Sequence, residues 1–272
     1  HLAHLVHAGA MNATRNTEMS MTMKSFPLTF CLSLLPLASA TAQEASAGVD
    51  PQADRLLRAM SDHLAGLAQF RVRTDNTLDV VTWSGQKLQM ANDVTVTVQR
   101  PARLRASRRG DVDEQEFYYD GKTLSLHSQG LGFYASVEAP DNLDDMLDFA
   151  REQLGLIAPA ADLLHADSYQ ALMEDVQEGS YIGLSRVAGV DCHHLAFRNQ
   201  EVDWQIWIAD GDAPQPCKYL ITTKWVTGAP QFTAVFADWY TSPSLDEDLF
   251  TFTPPEDAQR IDFMAATAPD AP

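Results

Sequence analysis

Positive charge is scarce in this chain. It carries 19 Lys and Arg against 37 Asp and Glu, a formal net charge of −18 over 272 residues. A surface that acidic repels phosphate backbones, so nucleic acid is excluded as an expected partner. Also missing are a Gly- or Ser-rich linker, an internal repeat and, after the first forty residues, any apolar run long enough to cross a bilayer as a helix. One domain is therefore expected, and membrane association is expected to be peripheral at most. Apolar residues at 45% and charged residues at 21% are ordinary globular values and exclude a disordered chain.

The front of the chain reads as a leader. Lys24 precedes Phe26, Leu28, Phe30, Leu32, Leu34, Leu35 and Leu37, and small residues then end at Ala40-Thr41-Ala42. A basic start, a short apolar stretch and an A-x-A site are what a secretory signal peptide requires. Residues 1–42 are thus expected to be an upstream segment plus signal peptide, cleaved near Ala42. Residues 43–264 should form the domain and 265–272 a loose tail, with the product exported to the periplasm.

Of three cysteines, Cys31 lies in the leader, leaving Cys192 and Cys217. An oxidising compartment favours pairing them. They fall on the first and third strands of an apparent meander, so the bridge requires the middle strand to stop short and the flanking ends to lean together. The alternative is two buried free thiols.

The rest is punctuated by period. Asp50-Pro51 starts a helix carrying Leu56, Leu57, Met60, Leu64 and Leu67 at helical spacing. Alternation of period two follows: Phe70 and Val72; Val94, Val96 and Val98; Leu104 and Ala106, with turns at Ser84-Gly85 and Asp120-Gly121. Leu143, Met146 and Leu147 then mark a second helix, with Asp144 and Asp145 in its first turn, and a shorter helical piece ends before Gly179. Strands resume with Trp204, Ile206 and Ile208 on one face; Phe232, Ala234, Phe236 and Tyr240 share another, with Asp238 among them. Leu249 to Pro255 reads as a short edge strand stopped by prolines. The expected fold is α+β: a curled antiparallel sheet, a half-open β-barrel, with an N-terminal helix and central helices covering its concave side.

Reactive constellations are few. His193 and His194 are adjacent on a strand, point to opposite faces and have no third ligand at a recognisable spacing, so no metal is expected. No G-x-S-x-G motif is present, and no calcium-loop spacing. A hydrolase built from carboxylates or histidines assembled by the fold stays open. Arg103 and Arg105 share a strand face within the one basic cluster. They form either a solvated face balancing nearby acids or a docking patch for an acidic partner or anionic head group.

Val190-Asp191-Cys192-His193-His194-Leu195-Ala196-Phe197, Asp203-Trp204-Gln205-Ile206-Trp207-Ile208, Pro216-Cys217-Lys218 and Phe250-Thr251-Phe252-Thr253-Pro254-Pro255 resemble the predicted periplasmic family called domain of unknown function 2092. Arg100-Pro101 with Arg103-Leu104-Arg105 fits as well. More distantly, the layout is similar to the outer-membrane lipoprotein carrier group, half-barrels whose helices plug a cavity for acyl chains. By analogy the resemblance implies a periplasmic carrier or sensor of a lipid or other apolar ligand, without catalysis or cofactor. A periplasmic or envelope protein is the alternative partner, for a regulatory module on the same scaffold. The cavity lining expected from the pattern is Val94, Val96, Val98, Leu143, Met146, Leu147, Trp204, Ile206 and Ile208.

Overall fold

Asp50 caps the first helix as expected, its carboxylate accepting the Gln52 amide at 2.7 Å, with Pro51 at the first helical position. In this computed structural model the described residues are 48–111 and 114–263, so the expected leader, cleavage site and tail lie outside them. Helix α1 (Pro51–Ala65) presents Ala53, Leu57, Met60 and Leu64 along one buried stripe. Six strands follow: β1 (Gln69–Val81), β2 (Lys87–Gln99), β3 (Arg103–Gly110), β4 (Gln115–Tyr119), β5 (Thr123–Ser128) and β6 (Phe133–Glu138). Then come α2 (Leu143–Glu152), a 3-10 turn (Ala161–Leu164) and α3 (Ser168–Met173). Strands β7 (Glu178–Val187), β8 (Val190–Arg198), β9 (Val202–Ala209), β10 (Pro216–Thr223) and β11 (Gln231–Tyr240) complete the run before the short β12 (Gln259–Arg260).

All twelve strands join one open, curled sheet in the order β12-β6-β5-β4-β3-β2-β1-β11-β10-β9-β8-β7. The long β1 is the hinge of this order: it pairs with β2 on one side and β11 on the other, both antiparallel. Period-two alternation then decides what faces inward. Val137, Leu124, Tyr119, Leu104, Val98 and Phe70 lie directly across from one another from β6 to β1. Leu78, Phe232, Ile221, Trp204 and Phe197 form a second row from β1 to β8. Phe70 and Leu78 are an even number apart on one strand, so both rows belong to the same, inner face. Helices α1 and α3 pack on the β8–β11 half of that face and α2 on the β1–β5 half. Burying each large side chain there stabilises the fold by about 1.5–3 kcal/mol.

Two local departures re-aim side chains. In β11, Asp238 sits in the left-handed region at φ 51° and two residues oppose one between Arg71 and Arg73 of β1. This bulge breaks the expected alternation. Asp238 turns outward to Arg73 at 2.9 Å and Tyr240 is 57% exposed, while Trp239 turns in to stack on Phe236 and meet Phe70. In β10, a register shift between Pro216 and Lys218 carries Cys217 across the outer face to Cys192. The disulfide therefore forms by a different route from the expected one. Strand β9 does not stop short: Ala209 stands opposite Cys192, and the bridge, with Cα atoms 6.9 Å apart, forms beside this small residue.

The C-terminal strings also differ from expectation. Glu247–Phe250 is a 3-10 turn, and the residues up to Pro255 form no strand. Phe250 is buried, and Phe252 packs on Tyr118, His127 and Tyr134 across the outer face of β4–β6. Pairing resumes only after the prolines, where β12 runs parallel to β6.

Candidate ligand-binding interior

The nine lining residues expected from the pattern divide into two patches of the inner face. Trp204, Ile206 and Ile208 are fully buried beneath α1 and α3. Val98, Leu143 and Met146 are buried with Phe70, Val72 and Tyr119, and Val96 and Leu147 pack at the margin of that cluster. Val94 shares the face but belongs to neither cluster. Its neighbours across the ladder are Thr74 and Arg108, where the face turns polar. Residues not anticipated as lining join the two patches. Leu67, Phe236 and Trp239 touch both clusters, and the 3-10 turn straddles the seam with Leu163 in one and Leu164 in the other.

The helical segment is pinned at discrete polar points. Asn142 caps α2 by accepting the Asp145 amide at 2.9 Å, and the Leu143 amide donates to the Pro101 carbonyl at 2.9 Å. The Tyr119 hydroxyl donates to the Pro140 carbonyl, and burial pushes that phenol up to about 12. The Arg100 guanidinium donates to the Leu164 carbonyl at 3.0 Å, and its own burial lowers its pKa. At the far end, Ser61 of α1 accepts the Tyr169 amide at 2.9 Å, and Tyr169 donates to Asp54 while Arg58 covers its ring. That hydroxyl, then the Arg58 guanidinium, hold the Asp54 carboxyl below its usual range. Between these pins the chain passes through Gly155 and Ala160, both left-handed at φ 64° and 70°, with Ile157 exposed. Ala160 carries the steric cost of that region for a residue with a Cβ.

A polar group sits inside this apolar surround. Asp162 on the 3-10 turn is largely buried, and desolvation raises its pKa against the opposing pull of His165 and of Arg151, 3.8 Å away. The helices pack their apolar side chains on the inner face, and two hollows, of about 270 Å3 beside β7–β9 and about 470 Å3 across β11, β1, β2 and β3, have no helical residue in their walls.

The other expected groups are placed elsewhere. Arg105 bridges Glu116 at 3.2 Å and lies over the Tyr118 ring, close to the C-terminal segment, while Arg103 donates to the side-chain oxygen Oε1 of Gln99. Arg105 is thus engaged within the fold, and Arg103 is the more accessible of the two. The adjacent histidines do point apart. His193 lies between the Tyr181 hydroxyl at 3.1 Å and Asp210 at 3.2 Å. His194 stacks on Trp207 on the outer face, where burial lowers its pKa. Among the described residues, no group of three or more His, Cys, Asp or Glu is arranged to hold a metal ion, and no helix is long and apolar enough to cross a membrane.

Several solved structures resemble this chain. LprF from Mycobacterium bovis is 17% identical with a TM-score of 0.46, over 77% of this chain and 99% of its own. The lipoprotein LppX of Mycobacterium tuberculosis is 14% identical with a TM-score of 0.46, over 72% and 100%. A LolA superfamily protein from Nitrosomonas europaea is 9% identical with a TM-score of 0.36, over 74% and 97%. No curated protein matches. The family described as predicted periplasmic protein, domain of unknown function 2092, matches residues 53–264, from α1 past β12, and the chain belongs to that family.

Proposed function

We propose that the protein is a non-catalytic periplasmic carrier or sensor of an apolar ligand, a lipid or acyl chain, taken up between the inner face of the sheet and the helical segment 143–173. The observation that supports this most is the continuity of the apolar inner face across β1 to β6 beneath a helix tied down by a few hydrogen bonds. In the described arrangement α1, α2 and α3 occupy that face, so a guest enters by lifting α2 and the 3-10 turn and replacing their side chains. Each methylene of an acyl chain so buried contributes about 0.8 kcal/mol, enough for useful affinity without a reactive group. Met146 and Leu147 of α2 and Met173 of α3 are unbranched at Cβ, and methionine in particular re-packs around a guest.

A second reading, a protein-binding module, draws on the β7 edge of the sheet, which among the described residues is bridged at Gly179 by Val49. Strand β7 is terminal, and Ile182 and Leu184 on it are 56% and 61% exposed. A sheet edge with apolar side chains beyond that bridge suits an extended segment of another protein. Native mass spectrometry and lipid extraction of protein isolated from periplasm separate the two. The carrier reading expects a bound species in the mass range of an acyl lipid, released by organic solvent. Protein that is repeatedly lipid-free and retains a polypeptide partner favours the edge instead.

A further inference from the structure

Two of the largest side chains on the inner face carry hydrogen-bonding groups with nothing to bond. Tyr219 and Trp204 are both 0% exposed, yet the Tyr219 hydroxyl and the Trp204 Nε1 find no partner among the described residues. They stand on neighbouring strands, β10 and β9, with ring centroids 5.9 Å apart in edge-to-face contact. Leaving such a donor unpaired in the interior costs about 1–3 kcal/mol, and phenylalanine in place of Tyr219 would fill the same apolar space without that cost. Burial drives the Tyr219 phenol well above its ordinary range, and the negative charge of Asp162 adds to the effect. Leu163 of the 3-10 turn shares one buried cluster with both rings, as do Leu57 and Met60 of α1 and Leu172 of α3, so a guest reaches the rings only where these elements move apart.

We propose that Tyr219 and Trp204 form a head-group subsite, which takes the neutral, oxygen-bearing end of an amphiphile such as the ester of an acylglycerol. This rests on the carrier reading above. The indole N–H is a donor only and the phenol a donor or acceptor, so together they suit an ester carbonyl with a neighbouring hydroxyl. A free carboxylate is disfavoured there, since it would be buried among apolar side chains and under the negative charge of Asp162.

The test compares binding of 1-monooleoylglycerol and of oleate, at neutral pH and below their aggregation thresholds, to the wild-type chain and to Tyr219→Phe. Wild type should bind the glyceride at least about tenfold more tightly than oleate. Tyr219→Phe should lose about tenfold in affinity for the glyceride and little for oleate, while its unfolding midpoint stays at or above that of wild type. Equal glyceride affinity in the two proteins, or tighter binding of oleate by wild type, overturns the subsite and leaves the carrier reading standing. If wild type binds neither probe and carries no lipid from the periplasm, the carrier reading fails and the subsite fails with it.

Discussion

Single residues decide what the inner face offers. Asp162 is the clearest case, a carboxyl raised above its ordinary 3.8 by burial on a turn packed into the interior. Between that ordinary value and the raised one, the folded protein binds a proton that the unfolded chain has released, so the group's effect on stability becomes less favourable as pH rises through this window. Asp162→Asn removes the slope. Urea unfolding at about pH 3 and about pH 7 should show the variant gaining on wild type as pH rises, and a difference independent of pH would contradict the assignment. Nothing in the sequence marks Asp162, because its burial comes from packing between elements distant along the chain. Trp239 was hidden for another reason. Alternation from Phe232 points Asp238 and Tyr240 inward, and only the left-handed turn at Asp238 exchanges them for Trp239. By contrast, Val98, Met146, Trp204 and Ile206 were readable because their strands and helix keep an unbroken period.

Elements were more legible than their ends. The caps at Asp50 and Asn142 and the turn at Asp120-Gly121 are local chemistry, and local chemistry is written in adjacent residues. In the C-terminal strings alternating Phe and Thr satisfy a strand pattern, whereas Phe252 packs through its ring on three aromatics of the outer face. The disulfide was readable from composition and compartment, and its route through the β10 bulge was not. Closing a separation of 25 residues, it should stabilise the β8–β10 meander. Reduction, or a Cys192→Ala/Cys217→Ala pair, should lower unfolding free energy by about 3 kcal/mol while the far-UV spectrum of the folded protein is kept. A change near zero in urea titrations with and without reductant would mean that the bulge holds the meander unaided.

At the scale of the whole molecule, one sheet carries two apolar patches on a single face, each roofed by different helices, with the 3-10 turn across the seam. A curled sheet with helices over its concave side followed from the order of periods along the chain: helix, strands, helices, strands. How fully those helices fill the hollow did not follow, because filling depends on side-chain volumes meeting in three dimensions. That filling makes movement of segment 143–173 the centre of the functional account. The five tryptophans of the chain report on the question directly, since Trp204 and Trp239 face inward while Trp83 is 96% exposed in a turn. The decisive measurement is the nitrogen-15 spectrum of the indole N–H groups, recorded with a monoacylglycerol carrying a nitroxide on its acyl chain. The account predicts that the Trp204 and Trp239 signals broaden first and recover when the spin label is reduced, with Trp83 unaffected. Broadening confined to Trp83, or none at Trp204 and Trp239 at saturating probe, would contradict an apolar guest inside the sheet.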